Sequence, residues 1–345
     1  MRPSARQLRD PFDERAALPQ TRDLQLLGAR FRFESNSTRL LRLVDQAFAG
    51  LPRHRLGAHS RPVRVRLLLT RPGAPGAVAS GLPPLNTFAG AGFLCGAIDA
   101  GNFVVIAPAQ ASALVVVSSA MLRYPHEVRY ELIEFAVYML AARIQGLVPL
   151  HAAAVCHRGR GLLLMGDSGA GKSTVALHCL LRGLQILSED GVFVQPADLL
   201  ATGLSNFLHL QPGGLQFVQA RASATRIIRS PLIRRRSGAL KHELDLRRGG
   251  FRLAPQPVKI HSVIFLSKRT ASDRRLLRAL PPRALARRLQ ALQPYASGQR
   301  GWRQFGRKLA AVSAFELRRG SHPQLAAAAL AQLLNPPAPR APRAS

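Results

Sequence analysis

The sequence contains few cysteines and few aromatic residues, and each shortage excludes classes of protein. Its three cysteines, Cys95, Cys156 and Cys179, are far apart and show no CxxC spacing. This argues against a disulfide scaffold or a thiolate metal site, and it predicts ordinary buried thiols in a reducing compartment. Aromatic residues make up only 6% of the chain, so its basic stretches lack the interleaved rings on which single-stranded nucleic acids stack.

Long apolar runs are also missing, although 47% of the residues are hydrophobic. The run 103–117 is interrupted by Pro108, Gln110 and Ser112. It therefore falls short of the roughly 18–20 apolar residues that span a bilayer. The first residues are charged and contain no apolar segment of the kind found in secretory signals. We therefore expect a globular, cytoplasmic protein without membrane contact.

Acidic residues are scarce, because 18 Asp and Glu stand against 49 Lys and Arg, giving a formal net charge of +31. Only five of the basic residues are Lys, and Arg is spread over the whole length. Such a charge favours an acidic protein or peptide as substrate over a nucleic acid. The alternative is a compositional habit of an Ala-, Leu-, Arg- and Pro-rich chain. Composition leaves the oligomeric state open, a homo-oligomer included.

The most informative stretch begins with a short apolar run, 162–165, and continues as a glycine-rich loop followed by residues of helical composition. This order of strand, GxxxxGKS and helix is typical of a phosphate-binding loop. Glycines let several backbone N–H groups converge on a polyphosphate, Lys172 adds a point charge, and the Ser173 hydroxyl can complete a Mg²⁺ shell. The predicted nucleotide-binding residues are Gly166, Asp167, Ser168, Gly169, Ala170, Gly171, Lys172, Ser173 and Thr174.

Two acids follow the next predicted strand. After a helix over 172–182 and Gly183 as its C-cap, the apolar run 184–188 ends in Glu189 and Asp190. Ligands of open α/β sheets bind at the carboxyl ends of strands, so this pair is expected near the terminal phosphate and its acceptor. A carboxylate there can hold Mg²⁺ or take the proton of an acceptor hydroxyl. The structural alternative is an exposed turn at a strand end.

The region before the loop suggests a separate, smaller domain. Short alternating runs at 31–33, 63–69, 93–98, 103–107 and 113–118, with a helix after Ser37, predict a small antiparallel sheet with one helix. Residues 71–84 predict a flexible loop, and a long helix is expected over 126–145. Its acids Glu127, Glu131 and Glu134 are interpreted as a solvated face rather than as a site. A strand over 150–156 then leads toward the loop.

Beyond residue 195 the patterns are weaker. They predict strands within 202–214, a basic, partly loop-like stretch over 221–248, a strand over 258–266, and helices over 281–292 and 322–334, with 309–317 open between helix and strand. The resulting organisation is a flexible arm (1–22), a small α+β domain of unknown role (23–146), a catalytic domain (147–334) and a disordered tail (335–345).

The segment from His151 through GDSGAGKST, followed by Arg182-Gly183 and then Ser188-Glu189-Asp190, resembles the C-terminal catalytic domain of HPr kinase/phosphorylase. The order of a His-headed strand, loop, Arg-Gly helix end and double acid is the same. The clear resemblance covers residues 147–195. It implies an α/β P-loop domain of the HPr kinase and PEP carboxykinase-like type, with a mixed sheet and flanking helices.

The resemblance also implies residue roles. Residues 166–174 would bind ATP, Ser173, Glu189 and Asp190 would hold Mg²⁺, and Asp190 would act as base toward the acceptor serine. His151 would lie near the phosphates and join Lys172 and Asp190 as a catalytic residue; on the residues alone it is a strand-end histidine. Glu189 replaces the first Asp of the family's acid pair, and no downstream metal-binding glutamate is found in 205–211.

Three functions fit this sequence. The first is an ATP-dependent kinase that phosphorylates a Ser or Thr hydroxyl of a peptide or small protein. The second is a small-molecule kinase, which a closed acceptor pocket would favour, whereas an open groove lined by 221–248 would favour a peptide. The third is a nucleotide-binding regulator without phosphoryl transfer.

Overall fold

The computed structural model describes residues 17–56, 61–70, 83–235, 238–271 and 275–335. Three predicted segments lie partly outside the described residues. These parts are residues 1–16 of the predicted arm (1–22), residues 71–82 of the predicted loop (71–84) and residues 336–345 of the predicted tail. The chain divides into two compact units. Within the described residues, unit 1 comprises 17–24, 30–49 and 61–140 with its gap, and unit 2 comprises 25–29, 50–56 and the remainder from 141. The domain boundary at 147 stays a prediction.

Unit 1 is built on a seven-stranded sheet with the strand order β1-β2-β3-β7-β6-β5-β4. Its elements are β1 (Gln20–Leu26), β2 (Ala29–Ser35), α1 (Thr38–Phe48), β3 (Val63–Thr70), β4 (Asn86–Gly90), β5 (Phe93–Asp99), β6 (Asn102–Ala107), a 3-10 turn (Pro108–Gln110), β7 (Ser112–Ser118), a 3-10 turn (Met121–Arg123) and α2 (Pro125–Glu127). The five predicted strands, which are β2, β3, β5, β6 and β7, and the first helix are confirmed, whereas β1 and β4 were not predicted. The prediction of a flexible arm is wrong for residues 20–22, because they belong to β1.

The prediction of a small antiparallel sheet in this unit is wrong. Strand β2 runs parallel to β3, and β3 runs parallel to β7; the hairpins among β4, β5, β6 and β7 are antiparallel. Helix α1 connects β2 to β3, and a helical crossover returns the chain in the same direction. Short alternating runs resemble hairpins, so the sequence pattern alone did not reveal this crossover.

The predicted helix over 126–145 is confirmed, but its middle is π-helical: α2 continues into Val128–Glu134 and then into α3 (Phe135–Gln145). A π-helix closes i to i+5 hydrogen bonds, so residues five apart lie on the same side. Arg129 Nη1 contacts Glu134 Oε1 at 3.4 Å, and both side chains are almost fully buried. Glu134 is therefore not part of the solvated face that we predicted with Glu127 and Glu131.

Unit 2 has a nine-stranded sheet containing the path β11-β9-β10-β17-β13-β12-β8, with β19 beside β17 and β18 beside β19. A separate three-stranded sheet has the order β14-β16-β15. The strands are β8 (Val148–His151), β9 (Ala153–His157), β10 (Arg160–Met165), β11 (Gln185–Ser188), β12 (Gly191–Val194), β13 (Leu200–Gly203), β14 (Phe207–Leu210), β15 (Leu232–Arg234), β16 (Leu240–Asp245), β17 (Val258–Thr270), β18 (Leu277–Leu280) and β19 (Ser313–Arg319).

The helices of unit 2 cover both faces of the large sheet. They are α4 (Lys172–Leu181), α5 (Arg221–Ile228), α6 (Pro282–Leu292), α7 (Pro294–Ser297), α8 (Trp302–Leu309) and α9 (Pro323–Leu334), besides a 3-10 helix (Pro212–Phe217). Strand β10 explains this arrangement, because successive side chains of a strand point to opposite faces of the sheet. Leu162 and Leu164 pack in one core with residues of α4 and α9, whereas Leu163 and Met165 pack in a second core with residues of α6 and α8.

Several predictions in unit 2 need correction. The strand expected over 150–156 is interrupted at Ala152, so β8 and β9 are separate strands with different partners. The basic stretch 221–248, predicted to be partly loop-like, contains helix α5 and the strands β15 and β16, with loop residues between them. The open assignment over 309–317 resolves into the end of α8 and strand β19. None of the helices in the described part of the chain has the length and apolar character needed to cross a bilayer.

His54 links residues 50–56 to the main part of unit 2 through hydrogen bonds. Its Nδ1 lies 2.8 Å from the Thr202 hydroxyl, and its Nε2 lies 2.9 Å from the Ala254 carbonyl oxygen. The ring is buried, which lowers the pKa of His54, and the backbone hydrogen bond to Ala254 opposes this only in part. Segment 50–56 is therefore held by a neutral, bridging imidazole.

Candidate functional site

The predicted loop lies between β10 and α4 and lines a cavity of about 530 Å³. The glycines are needed for two different reasons. Gly171 has φ +101°, a conformation that residues with a Cβ rarely adopt. At Gly166 a Cβ would approach the Leu266 carbonyl oxygen to 3.1 Å, so only glycine lets this loop pass close to β17. The sequence Gly166–Gly171 thus forms a tight turn before the helix.

Four strands bring their carboxyl ends to this cavity. Strand β10 is parallel to β17, and β17 is parallel to β19. Strand β9 is antiparallel to both β10 and β11, so β10 and β11 also run in the same direction. The loop after β10 and the acids after β11 therefore lie at one edge of the sheet. Glu189 and Asp190 both line the cavity together with residues 167–174 of the loop. Their position near a terminal phosphate and its acceptor stays a prediction.

Lys172 lies at the start of α4, within the loop. Its Nζ donates a 2.7 Å hydrogen bond to the Gly166 carbonyl oxygen, across the turn. Partial burial lowers the pKa of Lys172, and the nearby carboxylates of Asp190 and Glu189 oppose that shift. The ammonium is thus in a position from which a bound anion could take over its hydrogen bond.

Glu189 belongs to a buried chain of polar groups. Ser173 Oγ donates to Glu189 Oε1, and His209 Nδ1 lies 3.4 Å from Glu189 Oε2. On the other side of the imidazole, His209 Nε2 lies 3.3 Å from Glu243 Oε1. Burial alone lowers the pKa of His209, but its hydrogen bonds to both carboxylates outweigh burial and raise the pKa. His209 therefore bridges two acids, which favour its charged form.

Asp190 has different partners. Its Oδ1 lies 3.0 Å from His151 Nδ1, and its Oδ2 lies 3.7 Å from Arg235 Nη2. Burial by itself raises the pKa of Asp190, but the hydrogen bond and charge of His151, with Arg235 and His209, hold it well below the usual range. The Asp190 carboxylate therefore stays ionised at the cavity wall.

His151 is positioned by strand pairing and by one buried amide. It ends β8 opposite Gly191, the first residue of β12, which places it next to Asp190. The Gln293 side chain accepts from the His151 N–H at 2.8 Å and donates to its carbonyl oxygen at 3.0 Å. The predicted residues His151, Lys172, Ser173, Glu189 and Asp190 all line the same cavity.

Sequence reasoning missed four contributors: Arg235, His209, Glu243 and Gln293. Strand pairing explains two of them, because β14 and β16 place His209 directly opposite Glu243. The available signal was the single histidine of the otherwise apolar strand β14. The described residues contain no group of three or more His, Cys, Asp or Glu with the geometry of a metal site.

No family model matches the chain, and no curated protein matches it. Among solved structures, the chain is similar to the Hpr(Ser) kinase/phosphatase from Coxiella burnetii, with 13% sequence identity. The alignment covers 54% of this chain and 95% of that chain, with a TM-score of 0.30. A similarity at this level does not establish a common activity. The observed architecture is a mixed α/β arrangement of several sheets with flanking helices.

Proposed function

We propose that this chain is an ATP-dependent kinase of the P-loop type, similar to HPr kinase, that transfers the γ-phosphate to a Ser or Thr hydroxyl of a peptide or small protein. One observation carries the proposal. A glycine loop with its lysine and two acids with different partners meet in one cavity at the shared carboxyl ends of four strands. Phosphoryl transfer needs a phosphate cradle and a separate group that orients the acceptor, and this cavity supplies both.

The loop and α4 suit a triphosphate. Backbone N–H groups of the turn and the positive end of α4 attract its charge. Lys172 would exchange its bond to the Gly166 carbonyl for phosphate oxygens, which costs little because the ammonium is already partly desolvated. Phe217 and His322 also line the cavity, and their rings meet edge to face with centroids 5.5 Å apart. A nucleotide base would rest there.

The residues also fit Mg²⁺. Magnesium takes oxygen ligands, commonly one or two protein groups together with substrate phosphates and water. Ser173 and Glu189 present a hydroxyl and a carboxylate that are already hydrogen-bonded to each other, and Asp190 is the next residue. These three residues would hold the ion, which when bound would neutralise charge on the phosphates. His209 fixes the Glu189 carboxylate from its other oxygen.

Asp190 is the group that would orient the acceptor. Because the pKa of Asp190 is depressed, its carboxylate is ionised and can accept a hydrogen bond from a Ser or Thr hydroxyl throughout the physiological pH range. As the hydroxyl oxygen bonds to the γ-phosphorus, the bond to the β,γ-bridging oxygen breaks, ADP leaves, and the hydroxyl proton passes to Asp190. A low pKa suits a transition state with little proton transfer, in which orientation matters more than basicity. His151 and Arg235 hold the carboxylate in place.

A transfer assay with γ-³²P-ATP and Mg²⁺ tests the proposal, with a cell lysate as acceptor and ATP binding measured in parallel. Wild type is expected to label a protein or peptide, whereas Asp190→Asn binds ATP without labelling, and Lys172→Ala does neither. Label on a soluble metabolite alone would identify a small-molecule kinase. ATP binding without transfer to any acceptor would favour the regulator.

A further inference from the structure

The small sheet of unit 2 has an edge beside the proposed acceptor site. Strand β15 is the last strand of this sheet, and within the described residues no strand pairs with its outer side. Edge strands expose backbone donors and acceptors in a row and are therefore the usual place where an extended peptide adds to a sheet. The edge is short, since β15 spans only residues 232–234.

The ladder with β16 defines which backbone groups of β15 are used. The Glu243 N–H donates to the Pro231 carbonyl at 2.8 Å, and the Arg235 N–H donates to the Ala239 carbonyl at 2.9 Å. Hydrogen-bonded pairs alternate along an antiparallel ladder, so Ile233 forms the pair between them. The odd-numbered residues from 231 to 235 thus direct their backbone groups toward β16.

The even-numbered residues of β15 direct their backbone groups the other way. The N–H and C=O of Leu232 and of Arg234 point to the outer edge, in the spacing that a fourth strand of this sheet requires. Leu232 and Arg234 share one face with Leu240 of the neighbouring strand, and Ile233 shares the opposite face with Lys241. Because Lys241 lines the cavity, an added strand would present alternate side chains toward the cavity side.

The surroundings of this edge define the chemistry of a partner. Three large aliphatic side chains near this edge are exposed: Ile228 is 59% exposed, Leu232 is 52% exposed and Leu240 is 37% exposed. Arg229 and Arg234 are the exposed charges beside them. An extended segment with acidic residues and some apolar side chains complements this edge.

The edge also leads to the reacting groups. Arg235 directly follows β15, and its guanidinium reaches Asp190 Oδ2 at 3.7 Å. A segment paired with β15 therefore passes the residue that contacts the predicted acceptor-orienting carboxylate. We propose that the outer edge of β15 is the docking strand for an extended, acidic segment of the acceptor peptide, which adds to the small sheet and delivers its hydroxyl to Asp190. This inference rests on the proposed kinase function.

Proline substitutions at the outward-facing positions test the inference sharply. Arg234→Pro removes an outward N–H without removing a bond to β16, and proline is tolerated on edge strands. Arg234→Ala removes the same side chain, including its 3.3 Å contact with the Gly238 carbonyl, but keeps the N–H. Leu232→Pro and Leu232→Ala form a second matched pair. The probe is a degenerate peptide library with one Ser, carrying Asp and Glu or Lys at fixed flanking positions.

With γ-³²P-ATP, we expect wild type to label Asp- and Glu-containing peptides in preference to Lys-containing ones. Each proline variant should label them at least about tenfold more slowly than its alanine partner, as loss of a backbone hydrogen bond and of strand geometry predicts. The affinity for ATP should stay the same in all four variants, which also shows that they are folded.

Equal labelling by the proline and alanine variants, or a preference for Lys-containing peptides, overturns the docking edge. A wild type that labels a lysate protein but no library peptide overturns it as well, while leaving the kinase proposal standing. Failure of wild type to bind ATP, or to label any macromolecule, overturns the proposed function itself.

Discussion

Each unit of this chain buries charged groups, but the two clusters are built differently. In unit 1 the pair Arg129 and Glu134, here called the sealed pair, lies within one π-helical segment and is almost fully buried. Tyr138 donates to the other Glu134 oxygen at 3.3 Å, and His126 lies 3.0 Å from the Arg129 guanidinium. One cation balances one carboxylate, so the cluster is complete without a ligand.

In unit 2 the cluster of Glu189, His209 and Glu243, here called the cavity cluster, brings two carboxylates to one imidazole. The three residues come from three separate segments of the chain. Glu189 also accepts a hydrogen bond from the Ser173 hydroxyl at the cavity wall. The contrast suggests that a buried pair formed within one helix serves the fold, whereas a cluster assembled from several segments beside a cavity serves a ligand.

The largest expected effect separates fold from chemistry. Asp190→Asn should lower the phosphoryl-transfer rate by roughly 10²–10⁴-fold, because the neutral amide orients the acceptor hydroxyl less firmly than a carboxylate and cannot take its proton. ATP affinity should remain nearly unchanged, and single-turnover labelling with parallel ATP titrations measures both. Asp198→Asn is the matched control, since Asp198 is an exposed carboxylate of the same unit that accepts only a local bond from the Leu200 N–H at 3.0 Å. A control as inactive as Asp190→Asn would contradict the assignment.

The next effect concerns the sealed pair. Arg129→Leu should lower the free energy of unfolding by roughly 3–5 kcal/mol, because it leaves a buried carboxylate without its cation. Replacing both partners, Arg129→Leu with Glu134→Leu, should recover much of this loss. Urea unfolding of the three proteins measures the difference, and ATP affinity should be the same in all of them. A double variant no more stable than the single one would show that the pair does more than balance charge.

A smaller loss of stability is expected in the cavity cluster, together with a functional change. His209→Gln keeps one hydrogen-bond donor, so we expect a loss of about 1–3 kcal/mol in the free energy of unfolding. Because Glu189 then loses the imidazole that contacts its second oxygen, the Mg²⁺ concentration that supports half-maximal transfer should shift. The same Mg²⁺ titration should not shift in Arg129→Leu. Identical shifts in the two variants would remove the distinction between the clusters.

The smallest effect is a pH dependence. The pKa of His209 is raised in the folded state, where Glu189 and Glu243 favour its charged form and Arg235 opposes it. Its contribution to stability is therefore fully present below the unfolded pKa of about 6.5 and is lost as pH rises through the folded pKa. The stability advantage of wild type over His209→Gln should shrink as the pH rises above about 6.5. Urea unfolding midpoints across this range check it, and an advantage that grows with pH would contradict it.

The sequence was informative where the chemistry is local. The loop, its lysine, and the acids after the next strand are close in sequence, so their spacing alone placed them together. His209 and Glu243 could not be found in this way, because they meet only through the pairing of β14 with β16, 34 residues apart. The same limit explains the sheet of unit 1. Five of its seven strands were predicted, but the direction of β2 and β3 depends on the crossover through α1.

The position of His54 limits how unit 2 could be separated from unit 1. The chain enters unit 2 at 25–29 and 50–56, returns to unit 1, and comes back at residue 141. A fragment that starts at 141 would leave the Thr202 hydroxyl and the Ala254 carbonyl facing an empty space where an imidazole belongs. Unit 2, which contains the loop, therefore cannot be transferred to another protein as one continuous segment. Recombination at a single point would separate it from part of its own core.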